Sequence, residues 1–290
     1  MIKQTLFAVA ALCGAIGLTA GPLSAQSTIK IKLRSRDASD KITERVEEWK
    51  ASETAIVVCD MWDKHWCKHA TKRVAELAPS LNTMLNVARG KGFKIIHAPS
   101  DCTGFYKGHP AYQKSLKYGD GRARWFSTGS VGGEPRLPIG DPQPPDGGCS
   151  ECKWNNKIQW RRQIPTIDIK PQDYIVESRG KFSGYINDAG IKNVIVCGVH
   201  TNICVLGRPF SLRASKSLGR RIALIRDMTD LMYNNVPGSK KTAPNVDHWA
   251  GLNLVVGHIE KYVGPSILSS SITNGNPFRF KEDNRPQEKR

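Results

Sequence analysis

The run Asn193-Val194-Ile195-Val196-Cys197-Gly198-Val199-His200-Thr201-Asn202-Ile203-Cys204-Val205 changes character halfway along. Its first half is continuously apolar and β-branched, the composition of a strand buried on both faces of a parallel sheet. Its second half is a short polar turn that predicts a helix beginning near Cys204 and running to about residue 218. Open α/β sheets bind ligands beyond the carboxyl ends of their strands, where strand hands over to helix. Cys204 stands at such a junction. A thiol there meets the positive end of the helix dipole, which favours the thiolate. Neighbouring N–H groups are placed to hold an oxyanion formed when a thiolate attacks a carbonyl. The competing reading is a buried, inert cysteine.

Working outward, Thr54-Ala55-Ile56-Val57-Val58-Cys59-Asp60 is a second apolar run, and it ends on an acid. Asp60 at that edge is a candidate general base for the thiol, with helix N-capping as its other use. Val74, Leu77, Ala78, Leu81, Met84, Leu85 and Ala88 recur at helical spacing, and Gly90-Lys91-Gly92 ends that helix. Further strands are predicted at Phe93–Ala98, Asp173–Glu177 and Arg221–Asp227, with helices over 182–189 and about 249–262. This alternation implies right-handed crossovers and a three-layer α/β/α fold around a mainly parallel sheet. Residues 100 to about 163, rich in Pro and Gly, read as a long inserted loop of the kind that selects substrates. Trp62 and Trp66 are candidates for lining a pocket there.

The 290 residues are 39% hydrophobic and 24% charged, an ordinary globular balance. Met1-Ile2-Lys3, an apolar run from Leu6 to Leu18, and Leu23-Ser24-Ala25 together match a bacterial-type signal peptide over residues 1–25. The expectation is export to the periplasm or beyond, with no membrane span in the mature chain. Residues 26–52 form a charged extension in which Ile42–Trp49 reads as a surface helix, and the polar tail 266–290 reads as disordered. The net charge of +17 suits anionic small molecules, but basic residues are spread evenly and carry no nucleic-acid-binding motif. Seven cysteines follow the signal. Cys59 and Cys197 lie in apolar strands and read as buried hydrophobes. Cys67, Cys102, Cys149 and Cys152 lie in polar stretches, with two disulfides favoured over a four-thiolate zinc site.

Val57–Trp62, Gly198–Val205 and Ile225–Asp230 resemble the isochorismatase-like cysteine hydrolases, the superfamily of nicotinamidases, carbamoyl-amide hydrolases and isochorismatase. The resemblance runs from about Thr54 to Val263, so the expected domain is 53–265 with the insertion inside it. It implies Cys204 as nucleophile, Asp60 as its acid/base partner, a cis peptide before His200, and an oxyanion hole from the N–H groups of His200 and Cys204. The family's catalytic Lys falls in register on Arg179, with Lys181 two residues on. Thr201, Asn202 and Arg208 are then candidate substrate contacts, with Arg213 a further basic group nearby. His97-Ala98-Pro99-Ser100-Asp101 lacks the metal motif of the family's nicotinamidases, so no metal or cofactor is expected. The resulting expectation is hydrolysis of a C–N bond in a small molecule, for which the basic charge suits an anion, by a homo-oligomer. Vinyl-ether hydrolysis of the isochorismatase type and a non-catalytic binding role remain the alternatives.

Overall fold

The computed structural model describes residues 27–121, 132–142, 148–149, 151–155, 157–233 and 246–286. The expected export signal lies outside them. Along the chain come β1 (Thr28–Arg36), β2 (Ile42–Lys50), β3 (Thr54–Cys59), α1 (Lys68–Gly90) and β4 (Lys94–Ala98). A short α2 (Pro110–Gln113) falls in the insertion, followed by β5 (Tyr174–Ile175), α3 (Arg179–Asp188) and β6 (Asn193–Val199). The chain continues through α4 (Cys204–Gly207), α5 (Leu212–Ser217), β7 (Arg221–Asp230), α6 (His248–His258), β8 (Ser266–Ile267) and α7 (Ser270–Thr273).

The strands form one sheet in the order β2-β1-β8-β7-β6-β3-β4-β5. The pairs from β8 through β7, β6, β3 and β4 to β5 are parallel, and the β1–β2 and β1–β8 pairs are antiparallel. From β3 the chain crosses through α1 to β4, in one direction along the sheet. It returns through α3 to β6 and α5 to β7, in the other. Right-handed crossovers in opposite directions put α1 on one face and α3 and α5 on the other, which makes the three layers. Every residue of β3 and β6 is buried, as the two apolar runs require. Among the described residues no helix is long and apolar enough to cross a membrane.

Two expectations are corrected. Residues 42–50 are a strand, not a helix: β2 pairs along its whole length with β1. Ile29, Ile31 and Leu33 of β1 are buried while the basic residues between them point out, the period of two that a one-sided strand shows. The tail is ordered over much of its length. Ser269 and Phe278 donate backbone N–H groups to the Asp227 carboxylate, and Ile272 and Phe280 are buried.

Gly198 sets the geometry of the sheet's carboxyl edge. It takes φ +98°, and a Cβ there would lie 2.1 Å from the Cys59 carbonyl oxygen, so only glycine lets β6 pass β3 this closely. Beside it the β6–β7 register shifts between Val196 and Gly198, a bulge that re-aims the chain leaving β6.

Behind the sheet, Asp173 accepts from Arg89 at 2.7 Å and faces His97 Nε2 at 3.2 Å. Burial opposes its charge, but the His97 and Arg89 hydrogen bonds outweigh burial and hold the carboxyl at about 2, against an ordinary 3.8. A depressed folded-state pKa gives stability that is present above the unfolded value and lost as pH falls through the folded one. Stability is therefore expected to drop by about 2 kcal/mol between pH 4 and pH 2 on this account. Urea titrations should show that part of the acid limb missing in Asp173→Asn.

Candidate active site

Three segments meet beyond the carboxyl ends of β3 and β6. Asp60 follows β3 with φ +46°, a left-handed conformation that Asp tolerates better than most residues, and it is fully buried. One carboxylate oxygen accepts the Ser100 N–H at 2.8 Å, and the other faces Arg208 Nε at 3.3 Å. The Cys204 thiol hydrogen-bonds the Asp60 carboxylate. Cys204 itself is 5% exposed at the start of α4. The expected juxtaposition of thiol and carboxylate is present.

The charge state of the thiol differs from the expectation. α4 is a single turn of four residues, too short for a strong dipole, and burial followed by the Asp60 charge pushes the Cys204 thiol up. Burial also pushes Asp60 up, against the pull of Arg208. Burial thus disfavours the thiolate at Cys204.

The cation beside Asp60 is Arg208, while Arg179 and Lys181, expected there, pair elsewhere. Arg179 donates to Ser217 Oγ at 3.0 Å, and Lys181 Nζ pairs with Asp120 at 2.9 Å. Both lie on α3, which starts after the two-residue β5 and turns these side chains toward other partners. Arg208, 6% exposed, bridges Asp60 and Asp101 at 3.3 Å each and hydrogen-bonds Cys204. Its N–H donates to the Cys204 carbonyl at 3.1 Å, one helical turn away, and Pro209 prevents the helix from carrying it further. Asp141, contributed by the insertion, is pushed up to about 6 by burial against the pull of Arg208. Asp101 and Asp141 were not singled out by the sequence. Their signal is weak, since each is an isolated acid in a loop.

The peptide between Val199 and His200 is cis, as the resemblance implies. Among the described residues the His200 and Cys204 N–H groups donate to no protein acceptor. Thr201 and Asn202, expected to touch substrate, are engaged in hydrogen bonds within the protein. Thr201 donates its N–H and its Oγ1 to the Asp230 carbonyl, each at 2.8 Å. Asn202 Nδ2 donates to the carbonyls of Gly140 and Met232, and its Oδ1 accepts the Met232 N–H. They tie the turn before Cys204 to β7 and to the insertion. Arg213 is likewise engaged, forked on Glu134 at 2.5 and 3.0 Å.

Trp62 and Trp66 belong to an aromatic wall that also contains Trp160 and His65. Trp62 and Trp160 stack at 4.0 Å, and both indole N–H groups donate to the Ser100 carbonyl. His65 lies 5.3 Å from His200, ring to ring. Burial holds His65 down at about 2 and His200 at about 4, so both imidazoles are neutral at ordinary pH. The wall joins the β3 end to the insertion and so places Trp160 beside residues far from it in sequence.

No family model and no curated relative matches the chain. Solved structures do. The chain is similar to a cysteine hydrolase from Pseudomonas syringae pv. phaseolicola, at 14% identity and TM-score 0.47, over 78% of this chain and 93% of the other. It is similar to an isochorismatase from Pseudomonas putida, at 16% identity and TM-score 0.44, over 77% and 92%. It is similar to N-carbamoylsarcosine amidase from Thermoplasma acidophilum, at 12% identity and TM-score 0.34, over 61% and 83%.

Proposed function

We propose that this chain is an exported cysteine hydrolase that cleaves a C–N bond of a small amide or carbamoyl-type compound. The observation that carries the reading is the buried hydrogen bond between the Cys204 thiol and the Asp60 carboxylate, with Arg208 against both. A thiol and an acid buried together with a fixed cation form a proton-transfer unit. The export part rests on the pattern of residues 1–25. The non-catalytic alternative rests on the replacement of the family's Lys by Arg179, and Arg208 stands against Asp60 from another element.

In this mechanism Asp60 takes the Cys204 proton as sulfur attacks the carbonyl carbon and forms the C–S bond. The resulting oxyanion sits against the His200 and Cys204 N–H groups. As the tetrahedral species collapses the C–N bond breaks, and Asp60 returns its proton to the leaving amine. Water then attacks the thioester, Asp60 accepts a proton from it, and the acid leaves as the thiol is restored. Arg208 stays protonated throughout and steadies the carboxylate and the developing thiolate.

The test is a panel of small amides and carbamoyl compounds followed by intact-mass measurement after rapid acid quench. Acyl addition mapped to Cys204, absent in Cys204→Ala, is the expected result. Turnover that persists unchanged in Cys204→Ala overturns the proposal.

A further inference from the structure

Away from Asp60 and Arg208, three more cysteines come together. Two disulfides were expected among Cys67, Cys102, Cys149 and Cys152, but all four thiols are free. Cys102 is held apart, its thiol donating to the Pro99 carbonyl at 3.4 Å. The Sγ atoms of Cys67, Cys149 and Cys152 lie within 4.8 Å of one another. We propose that these three sulfurs bind one Zn2+ ion, which clasps the inserted loop onto the N-terminus of α1.

The geometry needs little change. Tetrahedral zinc with Zn–S bonds of about 2.3 Å sets its sulfurs about 3.8 Å apart. The three sulfurs therefore have to close by no more than about 1 Å. Cys149 and Cys152 are spaced as zinc ligands commonly are, and the Cys152 N–H donates to the Cys149 carbonyl at 3.2 Å, a turn that brings both residues to one side. Cys67 caps the 23-residue α1. The helix's first N–H groups reach two of the sulfurs: Ala70 donates to Cys67 Sγ, and Lys68 to Cys152 Sγ, each at 3.4 Å. Such bonds stabilise thiolates and orient them as an outer shell does around a metal. Arg73 lies close enough for its charge to act on Cys67, which offsets the net negative charge of a three-thiolate zinc centre. Water takes the fourth position.

The odd number of thiols favours metal over disulfide. A single S–S bond would leave one sulfur unpaired, whereas zinc engages all three. The cluster also packs against Met232 and Ile203, and Ile203 directly precedes Cys204. The clasp therefore anchors the insertion beside the turn that leads into the candidate nucleophile, yet its existence does not depend on any activity of Cys204.

The experiment uses the reduced full-length protein, Zn2+ as the probe, and a chromogenic chelator as competitor. One Zn2+ per chain is expected, with Cys67, Cys149 and Cys152 protected from iodoacetamide by peptide mapping. Since outer-shell changes alone cost 10–100-fold in affinity, Cys149→Ser and Cys152→Ser should each weaken binding by at least about 100-fold. Both lie in a loop, so circular dichroism should report an unchanged fold, and Cys102→Ser should bind as the parent does. Absence of Zn2+ uptake by the reduced protein overturns the proposal. So does equal affinity in Cys152→Ser, or a Cys149–Cys152 disulfide that re-forms in preference to metal binding.

Discussion

Arg208→Ala is expected to slow alkylation of Cys204 by iodoacetamide by about 10²–10³-fold, the usual loss when a preorganised electrostatic partner is removed. It is also expected to lower stability by about 3–5 kcal/mol, because it strands buried charge. Asp60 is fully buried and Asp101 mostly so, and Arg208 is the cation paired with each at 3.3 Å. Without it, burial pushes the Asp60 carboxyl up with less to oppose it, and a protonated carboxyl cannot accept the thiol proton. Arg208→Lys keeps the charge but loses the planar fork that reaches two carboxylates, so an intermediate rate is expected. Lys181→Ala and Arg179→Ala should leave the Cys204 alkylation rate unchanged, since their partners are Asp120 and Ser217. Alkylation can be followed by peptide mass and stability by urea titration, neither of which needs a substrate. A Lys181→Ala protein as slow as Arg208→Ala would return the catalytic cation to α3.

The contrast between Arg208 and Arg179 shows where the sequence is readable. The β3, β6 and β7 runs and α1 are legible because their burial is uniform: a continuous apolar run or apolar residues on one helical face have a single packing solution. Asp60 and Cys204 follow directly, since each ends a legible strand or opens the next helix. Ile42, Val46 and Trp49 misled because their i, i+4, i+7 spacing is that of a helix face. In the structure Ile42 and Val46 are 45% and 62% exposed, and the segment is held instead by its pairing to β1, including a Lys32–Glu44 charge pair. An edge strand carrying many charges protects the sheet from further pairing, and that role leaves no period-two apolar pattern to read. The same limit applies to the insertion. Trp160, Asp141 and Cys149 are placed by contacts across 60 or more residues, and local propensity carries no information about such contacts.

Asp230→Asn is expected to destabilise the protein by about 3–5 kcal/mol at neutral pH, the usual cost of breaking a buried ion pair from one side. Asp230 is fully buried, with Arg73 Nε at 2.8 Å and His248 Nε2 at 2.9 Å from its two oxygens. Burial opposes its charge, but Arg73 and His248 outweigh burial and hold the carboxyl well below the usual carboxylate range. The sign follows. The stabilisation is complete above the unfolded pKa near 4 and is lost as pH falls toward the lower folded value. The gap between the parent and Asp230→Asn should therefore be constant from pH 7 to about 5. Below about 4 it should narrow, at about 1.4 kcal/mol per pH unit at the steepest. A gap that stays constant down to pH 2.5 would mean that the substitution acts through packing rather than charge. The backbone of the same residue accepts both Thr201 hydrogen bonds, so this ion pair anchors the turn that carries His200. A variant that loses stability but keeps the parent's Cys204 alkylation rate would show that the turn is held by those backbone bonds alone. A matching fall in that rate would show that the buried charge on β7 also sets the position of the sulfur.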